Sequence, residues 1–189
     1  MSGVLLYVIG PSGSGKDSLM LFAREALATS SSVVFAHRYI TRPHNAGGEN
    51  HVALSDAEFE FRVVRKLLPL HWRSHGLRYG IGCEVNHWLA QGLTVLLNGS
   101  RAYLSEASRR YPELVPVLIE VSPSVLRERL LSRGREPARE IESRLQRAGK
   151  FNSLRHNRLL RFKNDAPLAL TGPAFVELVR NQEQEAACD

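Results

Sequence analysis

The feature that most constrains this chain is a glycine-rich segment near its start, Gly-Pro-Ser-Gly-Ser-Gly-Lys at positions 10–16. Gly10, Gly15 and Lys16 have the G-x-x-x-x-G-K spacing, in which glycines let backbone N–H groups turn toward phosphate oxygens. The apolar run Val4–Ile9 precedes the segment, and apolar residues at helical spacing follow it. Because strand, loop and helix are the context that this motif requires, the segment predicts a nucleotide phosphate-binding loop.

The loop departs from the common pattern at one position. A Ser or Thr hydroxyl ordinarily follows the lysine and binds Mg²⁺, whereas this chain has Asp17 there and Ser18 one residue later. Both side chains offer the oxygen ligands that Mg²⁺ prefers. We therefore expect the metal at Asp17 and Ser18, and the sequence does not decide which of the two contacts it.

Length and composition favour a single enzyme-sized domain without a membrane span. The 189 residues are 43% hydrophobic, which is enough for a substantial core. No apolar run reaches about 18 residues, and the N-terminus lacks the basic region of a signal peptide. Two cysteines, Cys83 and Cys188, are too few for a disulfide framework. We expect a cytoplasmic protein with no membrane partner.

The chain is basic, and arginine supplies most of its positive charge. The net charge is +6, with 21 Arg and 4 Lys among its 25 basic residues. Arginine suits bidentate binding of phosphate, although a codon bias toward arginine explains the excess about as well. The sequence has no helix-turn-helix, zinc-finger or aromatic RNA-binding signature, so we expect no nucleic-acid partner.

Strands and helices alternate along the chain, which predicts a mostly parallel five-stranded sheet with helices on both faces. The predicted strands are Val4–Ile9, Val33–Ala36, Thr94–Leu97, Val115–Val121 and Leu168–Leu170. Helices are predicted at 17–28, 56–67, 84–91, 101–110, 123–133, 137–149 and 152–161, and a last helix is predicted to start at Pro173.

Two segments fit this alternation poorly and are expected to lie over the mouth of the sheet, where ligands bind. Residues 37–82 are rich in His, Arg, Gly and Asn and are expected to form a small acceptor-binding lobe. Residues 132–144 are dense in charge and are expected to form a lid. The remaining ranges, 1–36, 83–131 and 145–189, then form the core of one domain.

Beyond the loop, several motifs make the whole chain resemble the guanylate kinase family of P-loop kinases. The segment Tyr-Ile-Thr-Arg-Pro at 39–43, with Gly-Gly-Glu at 47–49, is similar to the acceptor-binding segment of that family. Tyr-Gly at 79–80 is similar to the end of its lobe, and Leu126–Gly134 followed by Arg144 to its lid. Asn-Asp at 164–165 is similar to a late pair near the adenine.

The resemblance implies an ATP-dependent kinase on an α/β P-loop kinase fold, with Mg²⁺. It implies catalytic roles for Lys16, Arg129, Arg133 and Arg144. It implies that ATP is bound by Gly10, Pro11, Ser12, Gly13, Ser14, Gly15, Lys16, Asp17, Ser18 and Asn164.

The departures from the family indicate a different acceptor. Leu70 stands where the family has a guanine-binding Glu, and Asn-Gly-Ser at 98–100 stands for an Asp-x-Asp segment. His51 and Arg78 replace two tyrosines that hold the acceptor phosphate. A site that loses carboxylates and gains cations no longer suits guanine, but suits a smaller acceptor with more phosphate.

These departures, together with the residues at 71–72, 75–80 and 98–101, resemble the ribose 1,5-bisphosphate phosphokinases. That resemblance implies phosphorylation of the 1-phosphate by ATP, giving 5-phosphoribosyl 1-diphosphate and ADP. The candidate acceptor-binding residues are Arg38, Arg42, His51, Arg78, Tyr79, Asn98, Ser100 and Arg101, of which Asn98 and Ser100 are expected to bind ribose hydroxyls.

Three alternatives and the assembly state stay open at this point. A nucleoside monophosphate kinase with altered base recognition is disfavoured by Leu70. A non-catalytic binding module with a guanylate-kinase-like fold is disfavoured by the intact Lys16 and the lid arginines. A zinc site is suggested by two pairs of residues that are each four apart, His71 with His75 and Cys83 with His87. It is disfavoured because Cys83 and His87 lie on a predicted helix and the resemblance requires no zinc. The sequence leaves a homodimer open.

Overall fold

The computed structural model of the chain describes residues 3–46, 49–132, 138–149 and 153–188. The described strands are β1 (Leu5–Ile9), β2 (Val33–Phe35), β3 (Arg38–Ile40), β4 (His51–Ala53), β5 (Leu70–Ser74), β6 (Leu77–Ile81), β7 (Thr94–Asn98), β8 (Val115–Glu120) and β9 (Leu160–Lys163). The described helices are α1 (Lys16–Ala26), α2 (Asp56–Val64), α3 (Glu84–Ala90), α4 (Leu104–Arg110), α5 (Pro123–Ser132), α6 (Ala138–Gly149) and α7 (Leu168–Cys188), with a 3₁₀ turn at Arg101–Tyr103.

Five strands form a larger sheet in the order β2-β7-β1-β8-β9, and every pair in it is parallel. The strand β1 lies at its centre, and all five of its residues are buried. A continuous apolar strand is typical of a parallel sheet that is covered on both faces. The predicted fold class is therefore confirmed.

The side chains of β1 alternate between two hydrophobic cores on opposite faces of this sheet. Leu6 and Val8 pack with residues of α1 and α7, among them the fully buried Phe175. Tyr7 and Ile9 pack on the other face with residues of α3, α4 and the lobe. The phosphate loop therefore extends from a strand that is packed on both faces.

The last strand of the larger sheet is not the predicted one. The prediction placed a strand at Leu168–Leu170, but these residues begin α7, where Leu168 and Leu170 are exposed. The strand is instead Leu160–Lys163, within the segment predicted to be helical at 152–161. Its burial alternates, with Phe162 buried and its two neighbours exposed, as expected for an edge strand that packs one face against the core.

Helix α7 begins at Leu168, five residues before the predicted start at Pro173. Pro173 lies inside the helix, five residues after its start. A proline there removes one intrahelical N–H, which packing can outweigh. Phe175, Val176 and Val179 are buried on one face of α7, and that helical spacing identifies the packed side.

The other predicted elements agree with the structure to within about three residues. Helix α2 ends at Val64 rather than at 67, because Lys66 adopts a left-handed φ of 58°. The Leu67 N–H then bonds to the Arg62 carbonyl, which closes the helix as left-handed C-terminal residues commonly do. The segment predicted as one helix at 101–110 is a 3₁₀ turn followed by α4.

A second sheet, in the order β4-β3-β6-β5, lies entirely within the segment expected to form the lobe. Strand β3 pairs with β4 in parallel and with β6 antiparallel. Helix α2 covers this sheet through a small core of its own, formed by Leu54, Phe59 and Leu68. The lobe contacts the main core through Leu70 and Trp72, which join the cluster that contains Tyr7.

Candidate active site

The phosphate loop follows β1 and ends where α1 begins at Lys16. Gly13 and Gly15 have φ angles of 93° and 81°, in the left-handed region that glycine adopts without strain. A Cβ at position 15 would lie 2.5 Å from the Asn164 side-chain nitrogen, so a larger residue does not fit there. The loop therefore leads directly into the start of α1. The first N–H groups of a helix have no intrahelical partners and can bind an anion.

Two side chains from distant parts of the chain hold the Ser14 carbonyl. Asn164 donates a hydrogen bond of 2.6 Å to this oxygen, and Arg129 donates one of 3.3 Å. Arg129 also donates to the Ala166 carbonyl at 3.4 Å. The Ser14 hydroxyl is itself buried and has no partner among the described residues. The backbone of the loop is therefore held by side chains from two distant segments of the chain.

Lys16, Asp17 and Asn98 meet beside the loop. Lys16 Nζ donates to Asp17 Oδ1 at 2.9 Å and also to Asn98 Oδ1. The Asn98 Nδ2 group donates to Asp17 Oδ1 at 3.0 Å. Because β1 and β7 are parallel neighbours, their carboxyl ends bring Asn98 next to the loop, as ligand-binding residues of such sheets are commonly placed.

Burial and charge shift the pKa values of this pair. Burial lowers the pKa of Lys16, and the nearby Asp17 carboxylate opposes that shift. Burial also tends to raise the pKa of Asp17, but the charge and hydrogen bond of Lys16 outweigh it, so the pKa lies below its ordinary value. Asp17 is therefore negatively charged at neutral pH, and its side chain remains 63% exposed.

In the lobe, Arg38 forms a bidentate ion pair with Glu49. Arg38 Nε donates to Glu49 Oε2 at 2.8 Å, and its NH2 group donates to Oε1. The guanidinium also lies 4.9 Å from the centre of the Tyr79 ring. Asn98 Nδ2 donates to Glu49 Oε2 at 3.2 Å. These contacts join the lobe to the phosphate loop through side chains.

A cleft of about 660 Å³ opens between the loop and the lobe. Its lining contains the whole loop with Lys16, Asp17 and Ser18, and the predicted acceptor residues Arg38, Tyr79, Asn98, Ser100 and Arg101. The cleft thus brings together most of the residues predicted from the sequence. Ser18 is exposed there beside Asp17.

Three other predicted acceptor residues, Arg42, His51 and Arg78, lie in the lobe outside the lining of this cleft. His51 Nε2 lies 3.1 Å from the Arg42 carbonyl, and its Nδ1 lies 3.2 Å from Arg42 NH2. Arg78 pairs with Glu60 and lies 4.6 Å from the centre of the Phe59 ring.

These lobe residues are continuous with the cleft. His51 Nδ1 also lies 3.1 Å from the Glu49 carbonyl, and Glu49 holds Arg38. The backbones of Thr41 and Arg78 are hydrogen-bonded, and the Thr41 hydroxyl accepts from the Arg78 N–H at 3.0 Å. His51 is therefore linked to Arg38 through Glu49, and the backbone of Arg78 is held beside Arg42 by Thr41.

The three predicted lid arginines are described to different extents. Arg129 lies in α5 and contacts the loop as given above. Arg133 lies outside the described residues, and Arg144 lies in α6, where its backbone alone is described. The cores of α5 and α6 pack together through Leu126, Leu130 and Ile141, which places the two helices side by side.

Two features of the site were not predicted from the sequence. Glu49 was noted within a motif but not as a site residue, and only its contacts with Arg38 and Asn98 single it out. An aromatic stack continues from Tyr79 to Trp72 and Tyr103, with ring centres 5.6 Å and 5.4 Å apart. Trp72 and Tyr79 face each other across the paired strands β5 and β6, and two aromatic residues on adjacent strands are the signal that could have indicated this stack.

The zinc alternative is not supported by the arrangement of its four residues. Among the described residues, no group of three or more His, Cys, Asp or Glu side chains could hold a metal ion. Within that same part of the chain, none of the helices is both long and apolar enough to cross a membrane.

Sequence comparison gives a consistent set of relatives over almost the full chain. The chain is 56% identical over 181 residues to a protein from Thiobacillus denitrificans, covering 96% of this chain and 95% of that one. It is 58% identical over 175 residues to a protein from Desulfomicrobium baculatum, covering 93% of each. It is 46% identical over 195 residues to one from Enterobacter lignolyticus, covering 100% of each. All three are named ribose 1,5-bisphosphate phosphokinase PhnN. No protein-family model matches the sequence.

Solved structures show the same fold at low sequence identity. Guanylate kinase from Anaplasma phagocytophilum superposes with a TM-score of 0.66 at 17% identity, covering 96% of this chain and 87% of that one. A gluconokinase from Sinorhizobium meliloti gives a TM-score of 0.50 at 20% identity, covering 97% and 95%. The fold is thus that of guanylate-kinase-like phosphotransferases, and the high identity to the named relatives shows that the chain belongs to the ribose 1,5-bisphosphate phosphokinase family.

Proposed function

We propose that this protein transfers the terminal phosphoryl group of ATP to the 1-phosphate of ribose 1,5-bisphosphate. The bond between the β,γ-bridging oxygen and the γ-phosphorus breaks, and an oxygen of the 1-phosphate bonds to that phosphorus. The products are 5-phosphoribosyl 1-diphosphate and ADP. The observation that carries this proposal is the identity of 46–58% to the named relatives across nearly the whole chain.

The acceptor chemistry suits the residues of the cleft. A phosphate oxygen is already anionic at neutral pH, so the acceptor needs no general base. The protein must instead align two highly charged groups and neutralise their repulsion. Lys16 on the loop and Arg38 on the lobe are cations that line the same cleft from its two sides.

The nucleotide is proposed to bind through the loop. The phosphates lie against the backbone from Gly10 to Ser18, and the partly desolvated Lys16 interacts strongly with them. Asn164 is almost completely buried and holds the Ser14 carbonyl, so we propose that it contributes to nucleotide binding by shaping the loop. Arg129 is fixed at the same carbonyl, and we propose that Arg133 and Arg144 complete a lid over the transferring phosphate.

The residues beside Lys16 fit a divalent metal ion, which we propose is Mg²⁺. Asp17 keeps a negative charge and has an exposed carboxylate on the cleft wall, and the Ser18 hydroxyl is exposed next to it. Hard oxygen groups of this kind are the protein ligands that Mg²⁺ takes together with substrate phosphates. When bound, the ion neutralises charge on the phosphates during transfer.

The second phosphate of the acceptor is proposed to bind in the lobe. The Nε atoms of Arg42 and Arg78 are buried and have no hydrogen-bond partner within the described ranges. A buried donor without a partner costs about 1–3 kcal/mol, and a phosphate oxygen would remove that cost. We propose that Arg42, Arg78 and His51 receive the 5-phosphate, and that Arg38 and Arg101 receive the reacting end.

The sugar is proposed to lie between these two ends, against Tyr79 and Ser100. The Tyr7 hydroxyl fixes the Ser100 backbone by donating to its carbonyl at 3.1 Å and accepting from its N–H at 2.9 Å. The Ser100 side chain is therefore on a rigid turn at the cleft wall. A nucleobase finds no carboxylate at Leu70, which is fully buried in the core.

An acceptor screen tests this proposal. Purified protein is incubated with ATP, Mg²⁺ and one acceptor at a time, and ADP release is followed by a coupled assay. Ribose 1,5-bisphosphate should give the highest kcat/KM, whereas GMP, AMP and ribose 5-phosphate should be poor acceptors. A higher kcat/KM for GMP would support a nucleoside monophosphate kinase, and no ADP release with any acceptor would support a binding module.

A cytoplasmic location and a homodimer stay predictions.

A further inference from the structure

Asn98 joins the phosphate loop to the lobe, and its side-chain amide is almost completely used by protein groups. Its Oδ1 accepts from Lys16 Nζ, and its Nδ2 donates to Asp17 at 3.0 Å and to Glu49 at 3.2 Å. Asn98 is only 5% exposed. Little of this amide is left for a ribose hydroxyl, which is the role expected from the sequence.

The three partners of Asn98 determine both the orientation and the chemical type of this side chain. Its oxygen faces an ammonium group, and its nitrogen faces two carboxylates. The opposite orientation would direct N–H groups at the ammonium and an oxygen at both carboxylates. An aspartate at this position would place three carboxylates together, with strong like-charge repulsion.

Glu49 links Asn98 to Arg38, which lies on the acceptor side of the cleft. Both of its oxygens accept from the Arg38 fork, and one of them also accepts from Asn98. The Tyr79 ring supports the Arg38 guanidinium at 4.9 Å from the ring centre. The side chains of Glu49 and Arg38 are 14% and 15% exposed, so solvent screens their interaction only weakly. Moving the Asn98 amide would therefore move or loosen Arg38.

We infer that Asn98 is a positioning residue that couples the nucleotide-side Lys16 to the acceptor-side Arg38 through Glu49. The inference deepens the proposed function and rests on it where the acceptor is concerned. It assigns a role to Glu49, and it explains why residue 98 is an amide in a chain that has a carboxylate at position 17. Ligand binding at either end of the network then affects the geometry of the other end.

A double-mutant cycle with Asn98→Asp and Glu49→Gln tests the coupling. Asn98→Asp alone should lower kcat/KM for ribose 1,5-bisphosphate by about tenfold or more, because it introduces a third carboxylate. Glu49→Gln removes one carboxylate, so the double variant should be about fivefold or more active than Asn98→Asp alone. KM for ribose 1,5-bisphosphate should rise in each single variant, because Arg38 loses its position.

Asn86→Asp is the matched control for the substitution itself. Asn86 is an asparagine in α3 whose Oδ1 accepts from the Tyr111 hydroxyl at 2.7 Å, away from the cleft lining. This variant should leave kcat and both KM values unchanged. If Asn98→Asp does not fold, Asn98→Ala replaces it in the cycle, and Glu49→Gln should then have a smaller effect on KM when combined with Asn98→Ala than in the original protein.

Calorimetric titration with ADP gives a readout that does not depend on turnover. Asn98→Asp should weaken ADP binding, because the new carboxylate competes with phosphate for Lys16, and adding Glu49→Gln should restore part of it. Effects of the two substitutions that simply multiply, in both ADP affinity and kcat/KM, would overturn the coupling. Failure of the original protein to use ribose 1,5-bisphosphate would contradict the proposed function, and the ADP titrations would still decide the inference.

Discussion

The phosphate loop and the lobe hold their functional groups in different ways. The loop is fixed through its backbone, because Asn164 and Arg129 hold one carbonyl and glycines supply the left-handed turns. In the lobe, by contrast, the cations Arg38 and Arg78 are held by acidic side chains. Lys16 of the loop is also paired with a carboxylate, that of Asp17, so the contrast concerns the backbone. The loop offers backbone N–H groups to an anion, whereas in the proposed function the acceptor phosphates compete with carboxylates for the lobe arginines.

In the proposed function, nucleotide binding would therefore depend on the shape of one loop, and acceptor choice would depend on a balance of charges in the lobe. Glu60 is 55% exposed as it pairs with Arg78, so that pair can exchange its carboxylate for another anion. Glu49 is much less exposed and is also bonded to Asn98, so the Arg38 pair is the more permanent one. Substitutions in the two regions should therefore affect different kinetic constants.

The largest effect is expected at the loop, for Lys16→Met. The substitution removes a preorganised cation from the transferring phosphate, so kcat should fall by about two to three orders of magnitude. Circular dichroism should be unchanged, because the Lys16 side chain is not part of a hydrophobic core. Lys163→Met, on the exposed face of β9, is the control and should keep normal kinetics. Near-normal turnover of Lys16→Met would contradict the loop assignment.

The next effect is expected in the lobe, for Arg42→Ala and Arg78→Ala. Hydrogen bonds to charged groups contribute about 1.5–3 kcal/mol, so KM for ribose 1,5-bisphosphate should rise about tenfold or more in each variant. KM for ATP should stay nearly constant, because both residues lie in the lobe and not at the phosphate loop, where the nucleotide is proposed to bind. Steady-state kinetics with each substrate varied measures both constants. Arg73→Ala, an exposed arginine of β5, is the matched control.

An equal rise in KM for ATP and for the acceptor would remove the distinction between loop and lobe. That outcome would mean that the lobe arginines contribute to the nucleotide site. Unchanged KM values in both lobe variants would instead indicate that Arg42 and Arg78 are structural residues.

A smaller effect is expected for the metal. Asp17→Ala removes a carboxylate that is negatively charged at neutral pH, so the Mg²⁺ concentration for half-maximal rate should rise by about tenfold. The measurement is a magnesium titration at saturating ATP, with Ser18→Ala assayed in parallel. If Ser18→Ala alone shifts the titration, Ser18 is the ligand and Asp17 serves only to hold Lys16.

The smallest effect concerns stability, at the residue after Asn164. The Asp165 carboxylate accepts a hydrogen bond of 2.6 Å from the Ser122 N–H at the start of α5. This bond is the main cause that lowers the pKa of Asp165. A hydrogen bond with the Ser122 side chain and the positive charge of Lys163 lower it further. Since the folded-state pKa is depressed, the stabilisation is complete above the unfolded-state pKa of about 3.9 and is lost as pH falls through the folded-state value.

Asp165→Ala should therefore reduce the free energy of unfolding by about 1 kcal/mol at pH 7. The difference from the original protein should shrink below about pH 4. Urea denaturation at both pH values measures the free energy of unfolding. Asp165→Asn should lose less stability than Asp165→Ala, because its amide oxygen can still accept the hydrogen bond from the Ser122 N–H. A difference that does not depend on pH would show that the charge of Asp165 has no part in holding α5.

Much of the fold was predictable because its signals are local. The loop, the buried β1 and most helices follow from spacing and burial periodicity, and the structure agrees with them. The prediction failed at β9, because a four-residue edge strand with two charged side chains has little apolar signal. It failed at Pro173 because tertiary packing of Phe175 and Val179 outweighed the local preference for a proline at the helix start.

The candidate site was predictable in membership but not in its connections. Lys16, Arg38 and Asn98, which the sequence offered as candidates, line the same cleft, and their roles stay predictions. The ion pair of Arg38 with Glu49 was not predicted, because these residues come together only when β3 and β4 pair. Hydrogen bonds between side chains from distant segments have no periodic signature in a sequence.

In the proposed function, the chain phosphorylates ribose 1,5-bisphosphate rather than a nucleotide. Phosphorus NMR tests it most directly, with ATP, Mg²⁺ and protein incubated with either ribose 1,5-bisphosphate or GMP. We predict that the sugar bisphosphate gains the two coupled signals of a new diphosphate while ADP appears, and that GMP is converted much more slowly. Formation of GDP at a higher rate than the sugar diphosphate would contradict the claim.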